Sequence, residues 1–214
     1  MIKKNKTMII LTSVITLLPM LIGLLLWPKL PDPMATHFGM DGTANGWSSK
    51  TFTVFGLPAI LIATHLICVF VTAADPKHQN ISEKMFSLIL WIVPICSVFC
   101  GVGIYAPALG LELNVGTISN VLMGVLFLVI GNYLPKSRQN YTVGIKIPWT
   151  LADEDNWNRT HRLAGWLWIL CGIAFFLNII IRSSWLILAA IVIAAGVPTL
   201  FSLALYLRKR NQES

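Results

Sequence analysis

The sequence predicts an all-α, polytopic membrane protein: a bundle of six transmembrane helices, with an interfacial cytoplasmic helix before the fifth span. Three observations predict it. Hydrophobic residues make up 56% of the 214-residue chain and charged residues only 12%, about half the share expected of a soluble domain. Six apolar runs, near 8–27, 53–74, 85–107, 116–134, 163–182 and 185–207, approach or exceed the ~20 residues that cross a ~30 Å hydrocarbon core. Lys and Arg fall at the ends of these runs, and their alternation sets an orientation.

The first run follows Lys3, Lys4 and Lys6. It extends to Trp27 with no small-residue cleavage site, so it reads as a span and not as a secretory signal. Pro19, Pro94 and Pro198 fall inside spans, where proline is tolerated if neighbours satisfy the freed carbonyl. With an even number of spans and the N-terminus inside, 13 cations lie on the cytoplasmic side: Lys3, Lys4, Lys6, Lys77, Lys84, Lys136, Arg138, Lys146, Arg159, Arg162, Arg208, Lys209 and Arg210. Three, Lys29, Lys50 and Arg182, lie outside. This predicts a multi-pass cell-membrane protein with both termini cytoplasmic. Orientation accounts for the net charge of +7, and the basic-aromatic stripe of a nucleic-acid groove is missing, so no direct nucleic-acid partner is expected.

Two domains are expected: residues 1–75, with two spans and an external loop at 28–51, and residues 76–214, with four spans and a cytoplasmic loop at 135–162. In the external loop, prolines 28, 31 and 33 force an extended exit from the first helix. D-G-T-A-N-G is turn chemistry, in which Gly42 and Gly46 supply positive φ and Asp41 and Asn45 close Asx turns. Asp41, Thr43, Asn45 and Gly46 also match the opening of an EF-hand loop, but Phe52 stands where the bidentate Glu is required, so a turn is the better reading. His37, Phe38 and Trp47 form either a small binding surface or a self-packed cap.

The cytoplasmic loop contains G-I-K-I-P-W, an extended segment. Thr150 to Asp153 reads as a capping box, and Asp153, Glu154 and Asp155 load the following turn with negative charge, so a helix should start near Leu151. Asp155 and Arg159 form an i,i+4 pair. Arg159 and Arg162 should sit among lipid phosphates, which makes membrane lipid an expected partner.

Catalytic strings are missing: there is no P-loop, no HExxH and no GxSxG. No metal set, cofactor motif or catalytic residue is expected. Cys68, Cys96, Cys100 and Cys171 lack CxxC spacing and read as packing residues. Gly101 and Gly103 mimic a nucleotide-binding string inside an apolar span, where small residues at a helix contact are the simpler account. His65 lies mid-span, a functional candidate by position or a hydrogen-bonded structural group. As a functional group it would fit a small transporter or channel. His161 with Asp153–Asp155 would fit a membrane-embedded enzyme.

The run from Asn140 to Gly165, N-Y-T-V-G-I-K-I-P-W-T-L-A-D-E-D-N-W-N-R-T-H-R-L-A-G, resembles the signature of the SdpI family of bacterial immunity proteins against sporulation-delaying-type toxins. The matching positions include Asn140, Gly144, Ile145, Pro148, Trp149, Thr150, Leu151, Trp157, Thr160, His161, Arg162 and Gly165, with Gly131 and Asn132 before them. Lys146 and Ile147 depart from the family's Arg and Thr, and Lys lacks the bidentate fork. The external loop resembles a short uncharacterised domain at the N-terminus of longer family members. The resemblance implies toxin and bacteriocin immunity through a peptide-toxin partner. It further implies signal transduction by toxin-dependent capture of a cytoplasmic ArsR-like repressor.

Overall fold

The computed structural model describes every residue except Met40, Asp41 and Ser214, and the side chain of Glu213. Its long elements are α1 (Lys6–Leu25), α2 (Leu57–Ala73), α3 (Glu83–Ala108), α4 (Val115–Tyr133), the short α5 (Pro148–Ala152), α6 (Glu154–Ile181) and α7 (Ser184–Glu213). Among the described residues, six helices are long and apolar enough to cross a membrane, with mean hydropathy between 1.8 and 2.5. Leu25, Ile180 and Trp185 are about four-fifths exposed. In water such surfaces would be a liability, whereas in lipid they face their own solvent. This is the predicted all-α polytopic membrane protein.

The chain folds as two compact units, residues 1–73 with 87–122, and residues 74–86 with 123–214. In the first, α1 packs on α2. The first turn of the second span, Phe52–Gly56, is a π-helix. Pro58, two residues beyond it, cannot donate to the residue four back, which explains the local widening. Thr12, Thr16, His65 and Ser97 are buried in a polar seam. Thr16 Oγ1 donates to Thr12 O at 2.8 Å, and Ser97 Oγ donates to Thr16 O at 2.7 Å. Gly101 serves helix contact as expected, since a Cβ there would meet Pro19 at 2.9 Å.

The external loop contains a β-hairpin that the sequence reading lacks: β1 (Met34–Phe38) pairs antiparallel with β2 (Ala44–Ser48). Gly42 has the expected positive φ of 82°. Gly46 does not. It lies in β2 opposite His37, where a Cβ would come within 3.0 Å of the His37 Cβ. Close approach is therefore its role. Asn45 Oδ1 meets His37 Nδ1 at 2.5 Å, so it bridges the strands and the expected Asx turn is displaced. The Asp41 of the EF-hand-like string lies outside the described residues. Lys50 ties the hairpin's exit to the end of α1, donating from Nζ to Leu30 O at 3.1 Å.

In the second unit α6 packs along α7. Two glycine pairs draw α4 and α6 together. A Cβ on Gly131 would lie 2.9 Å from Gly165 O, and one on Gly172 would lie 2.8 Å from Gly124 O. The seven-residue spacing on both helices keeps one small-residue seam in register. At 28 residues, α6 is about 42 Å long. Its first turns therefore reach beyond a ~30 Å hydrocarbon layer.

The start of α6 corrects one expectation. The helix begins at Glu154, and its cap is Asp153, whose Oδ1 accepts from Asp155 N at 2.9 Å and Asn156 N at 3.3 Å. Thr150 is not the cap because it lies inside the preceding short helix, where its hydroxyl oxygen is turned back to accept from Ile147 N at 3.1 Å and donates to Ile145 O at 2.8 Å. Residues 148–152 instead form the separate α5, with Pro148 at its first position.

Candidate functional site

Between α4 and α5 the chain has little regular structure, so its backbone polar groups need side-chain partners. Asn140, 1% exposed, supplies several. Its Oδ1 accepts from Thr142 N at 2.9 Å and Val143 N at 2.6 Å, while Nδ2 donates to Arg138 O at 2.8 Å and Val143 O at 3.1 Å. The segment is thereby wound into a tight knot around one amide.

His161 closes the other side. Its Nδ1 lies 2.8 Å from Trp157 O, a pure acceptor, so Nδ1 carries the proton. Nε2 then accepts from Ile145 N at 2.9 Å. Both nitrogens are engaged and the ring is neutral, since a protonated Nε2 would face an N–H. The ring stacks on Trp157, centroids 3.9 Å apart, and the buried indole donates from Nε1 to Ser137 O at 2.7 Å. Gly144, at φ 119°, passes directly over this stack. A Cβ there would overlap the His161 ring and touch Trp157 at 3.1 Å.

Thr150, fully buried, fastens the next stretch, accepting from Ile147 N at 3.1 Å. Trp149 stacks on Tyr206 of α7, centroids 6.0 Å apart, while its buried indole nitrogen has no hydrogen-bond partner among the described residues. Asn156 holds α7 by donating to Ser202 O at 2.9 Å, and Ser202 Oγ donates back to Asn156 Oδ1 at 2.6 Å. Lys209 meets Asp153 Oδ2 at 2.9 Å. This bond, ahead of the two backbone N–H donors, holds the Asp153 carboxyl below its ordinary range. Asp155 and Arg159 pair at 3.6 Å as expected, both largely exposed.

The structure therefore gathers Asn140, Gly144, Thr150, Trp157 and His161 into one cluster, with Trp149 beside it. Gly165 serves the α4–α6 seam. Asn132 is exposed and accepts from Lys136 at 3.3 Å, and Pro148 and Arg162 are exposed at the margin. The pairing of His161 with Asp153–Asp155 is not formed: the ring is occupied by Trp157 and Ile145, and Asp153 is occupied by its cap and Lys209. Ser137 and Gln139 escaped sequence reasoning. Gln139 Nε2 donates to Thr150 O at 2.9 Å and Leu151 O at 3.0 Å, contacts with no local pattern to announce them.

In the first unit, His65 meets Thr12 Oγ1 through Nε2 at 3.1 Å, and its Nδ1 has no hydrogen-bond partner among the described residues. Thr12 already donates to Met8 O at 2.8 Å, so Nε2 is the donor. His65 is thus a buried interhelical link. On the hairpin, His37 and Trp47 are exposed while Phe38 is half-buried. Phe38 and Thr36 line a cavity of about 150 Å³ with Phe99, Ile104 and Val115. The three residues thus point to different surroundings.

Residues 136–202 match the SdpI/YfhL protein family. That match covers about a third of the chain. Residues 14–62 match a domain of unknown function, DUF1648, so the resemblance of the external loop is also borne out. The chain is 24% identical over 208 residues to the immunity protein SdpI of Bacillus subtilis (strain 168), covering 95% of each chain. No solved structure matches. The family match begins at Lys136, where the knotted loop begins, and takes in α5, α6 and most of α7. Within the matched stretch, Asn140, Thr150, Trp157 and His161 satisfy backbone groups of this loop.

Proposed function

We propose that the chain is a membrane-embedded immunity protein that binds or neutralises a membrane-active peptide toxin and passes the event to a cytoplasmic repressor of the ArsR-like kind. The observation that carries this reading is the similarity to a named immunity protein along 95% of both chains. In this reading the 13-to-3 distribution of Lys and Arg puts both termini and the knotted loop in the cytoplasm and the hairpin outside. A toxin arriving at the outer face meets exposed His37 and Trp47, with Phe38 at the neighbouring cavity. The cytoplasmic loop around Asn140, Gly144, Trp149 and His161 offers the repressor-facing surface, with Arg159 and Arg162 at lipid phosphates. What supports a binding role over chemistry is that His161 has both nitrogens committed to the fold. The test is to express the chain in bacteria sensitive to sporulation-delaying-type toxins. Survival of producing cells is expected, and unchanged killing contradicts the reading.

A further inference from the structure

The connector between α2 and α3, residues 74–82, looks unremarkable in sequence, yet it carries Asp75, a carboxylate only 3% exposed. A buried carboxylate is costly unless its oxygens are met, and here both are. Oδ1 accepts from Lys77 N at 2.7 Å. Oδ2 accepts from Tyr141 N and from Thr142 Oγ1, each at 2.8 Å. Two of the three donors come from the knotted loop, 66 and 67 residues away. The same connector reaches that loop twice more. The Lys77 ammonium donates to Gln139 Oε1, and Asn80 Nδ2 donates to Gln139 O at 2.7 Å. Gln139 in turn grips the end of α5.

We propose that Asp75 is a positioning residue of the knotted loop, and that the 74–80 connector is the second wall of that site. Asn140 closes the loop on itself, but it does not place it. Asp75 does, by fixing Tyr141 and Thr142, two residues before Gly144 crosses the His161 ring. Tyr141 is 48% exposed, and the Lys77 ammonium stands 5.5 Å from its ring centroid. The anchored segment therefore presents an aromatic side chain beside a cation. Charge-assisted bonds to a buried carboxylate are stronger than neutral ones, so this anchor should dominate the loop's order. The inference gives the proposed repressor-facing surface its fixed position, and to that extent rests on the immunity reading.

The test is amide hydrogen exchange on the full chain in lipid nanodiscs, comparing wild type with Asp75→Ala, Asp75→Asn and Asn156→Ala. Asp75→Ala should speed exchange at residues 141–145 at least tenfold and leave residues 166–175 unchanged. Asp75→Asn keeps an oxygen for Tyr141 and Thr142 but turns an NH₂ on Lys77 N–H, so it should give a rise of only two- to threefold. Asn156→Ala, in the same unit with other partners, should leave 141–145 alone. Wild-type exchange at 141–145 in Asp75→Ala would overturn the proposal, as would a uniform rise across the unit. Survival of toxin-treated cells carrying the same variants reads the immunity function separately. Faster loop exchange with full survival keeps the positioning role and removes the loop from immunity.

Discussion

Gly144 shows how one residue can be fixed from two directions. Its φ of 119° lies where L side chains rarely go, and the space for a Cβ is filled by the His161 ring. Gly144→Ala should therefore destabilise the second unit by about 1–3 kcal/mol, read as a lowered unfolding temperature in detergent. His161→Phe keeps a ring over Trp157 but leaves Ile145 N–H unpaired, at a cost on the order of 1–3 kcal/mol. Asp153 gives a pH signature. Its carboxyl is held below the ordinary range by Lys209 and two backbone N–H groups. Its contribution is complete above the unfolded-state value and is lost as pH falls through the lower folded-state value. Protection of the Asp155 and Asn156 amides, relative to their intrinsic exchange at each pH, should fall on acidification through that window, and Asp153→Asn should flatten the profile. Gly144, His161 and Asp153 were all visible in the sequence as residue types. Their partners were not, because a spacing pattern does not say which carbonyl an imidazole will meet.

At the scale of elements, the spans were legible because hydropathy is local: twenty consecutive apolar residues have one solution in lipid. The cap of α6 was nearly legible. Thr150 and Asp153 are both good capping residues, and what decides between them is that the Thr150 oxygen accepts from Ile147 N within the preceding short helix. The hairpin was not legible, since its strands are five residues each and their pairing depends on Gly46 admitting His37. The α4–α6 seam was half visible, through Gly131 and Gly165 as matched letters but not as facing ones. Because the obstacle to a side chain at Gly131 is Gly165 backbone at 2.9 Å, the helices must part to accept it. Gly131→Ala should cost about 1–3 kcal/mol, measured by thermal unfolding, and Gly103→Ala in α3 should cost little because the nearest atom is 3.8 Å away.

At the scale of the whole molecule, hydropathy and charge supplied the number of membrane-length helices and an orientation to test. The buried polar links that shape the loop join residues as far apart as Asp75 and Thr142, beyond any local pattern. Topology is checked by fusing reporters to the C-terminus. A cytoplasmically active fluorescent protein should glow and an exported phosphatase should stay inactive. Immunity is the central claim, and survival under toxin measures it most directly. Sensitive bacteria producing the chain should grow through a dose that kills cells carrying an empty vector, and the hairpin variant His37→Ala/Trp47→Ala should lose that protection while still reaching the membrane. Killing of the producing cells at the same dose as the control, with the protein present in the membrane, would contradict the account.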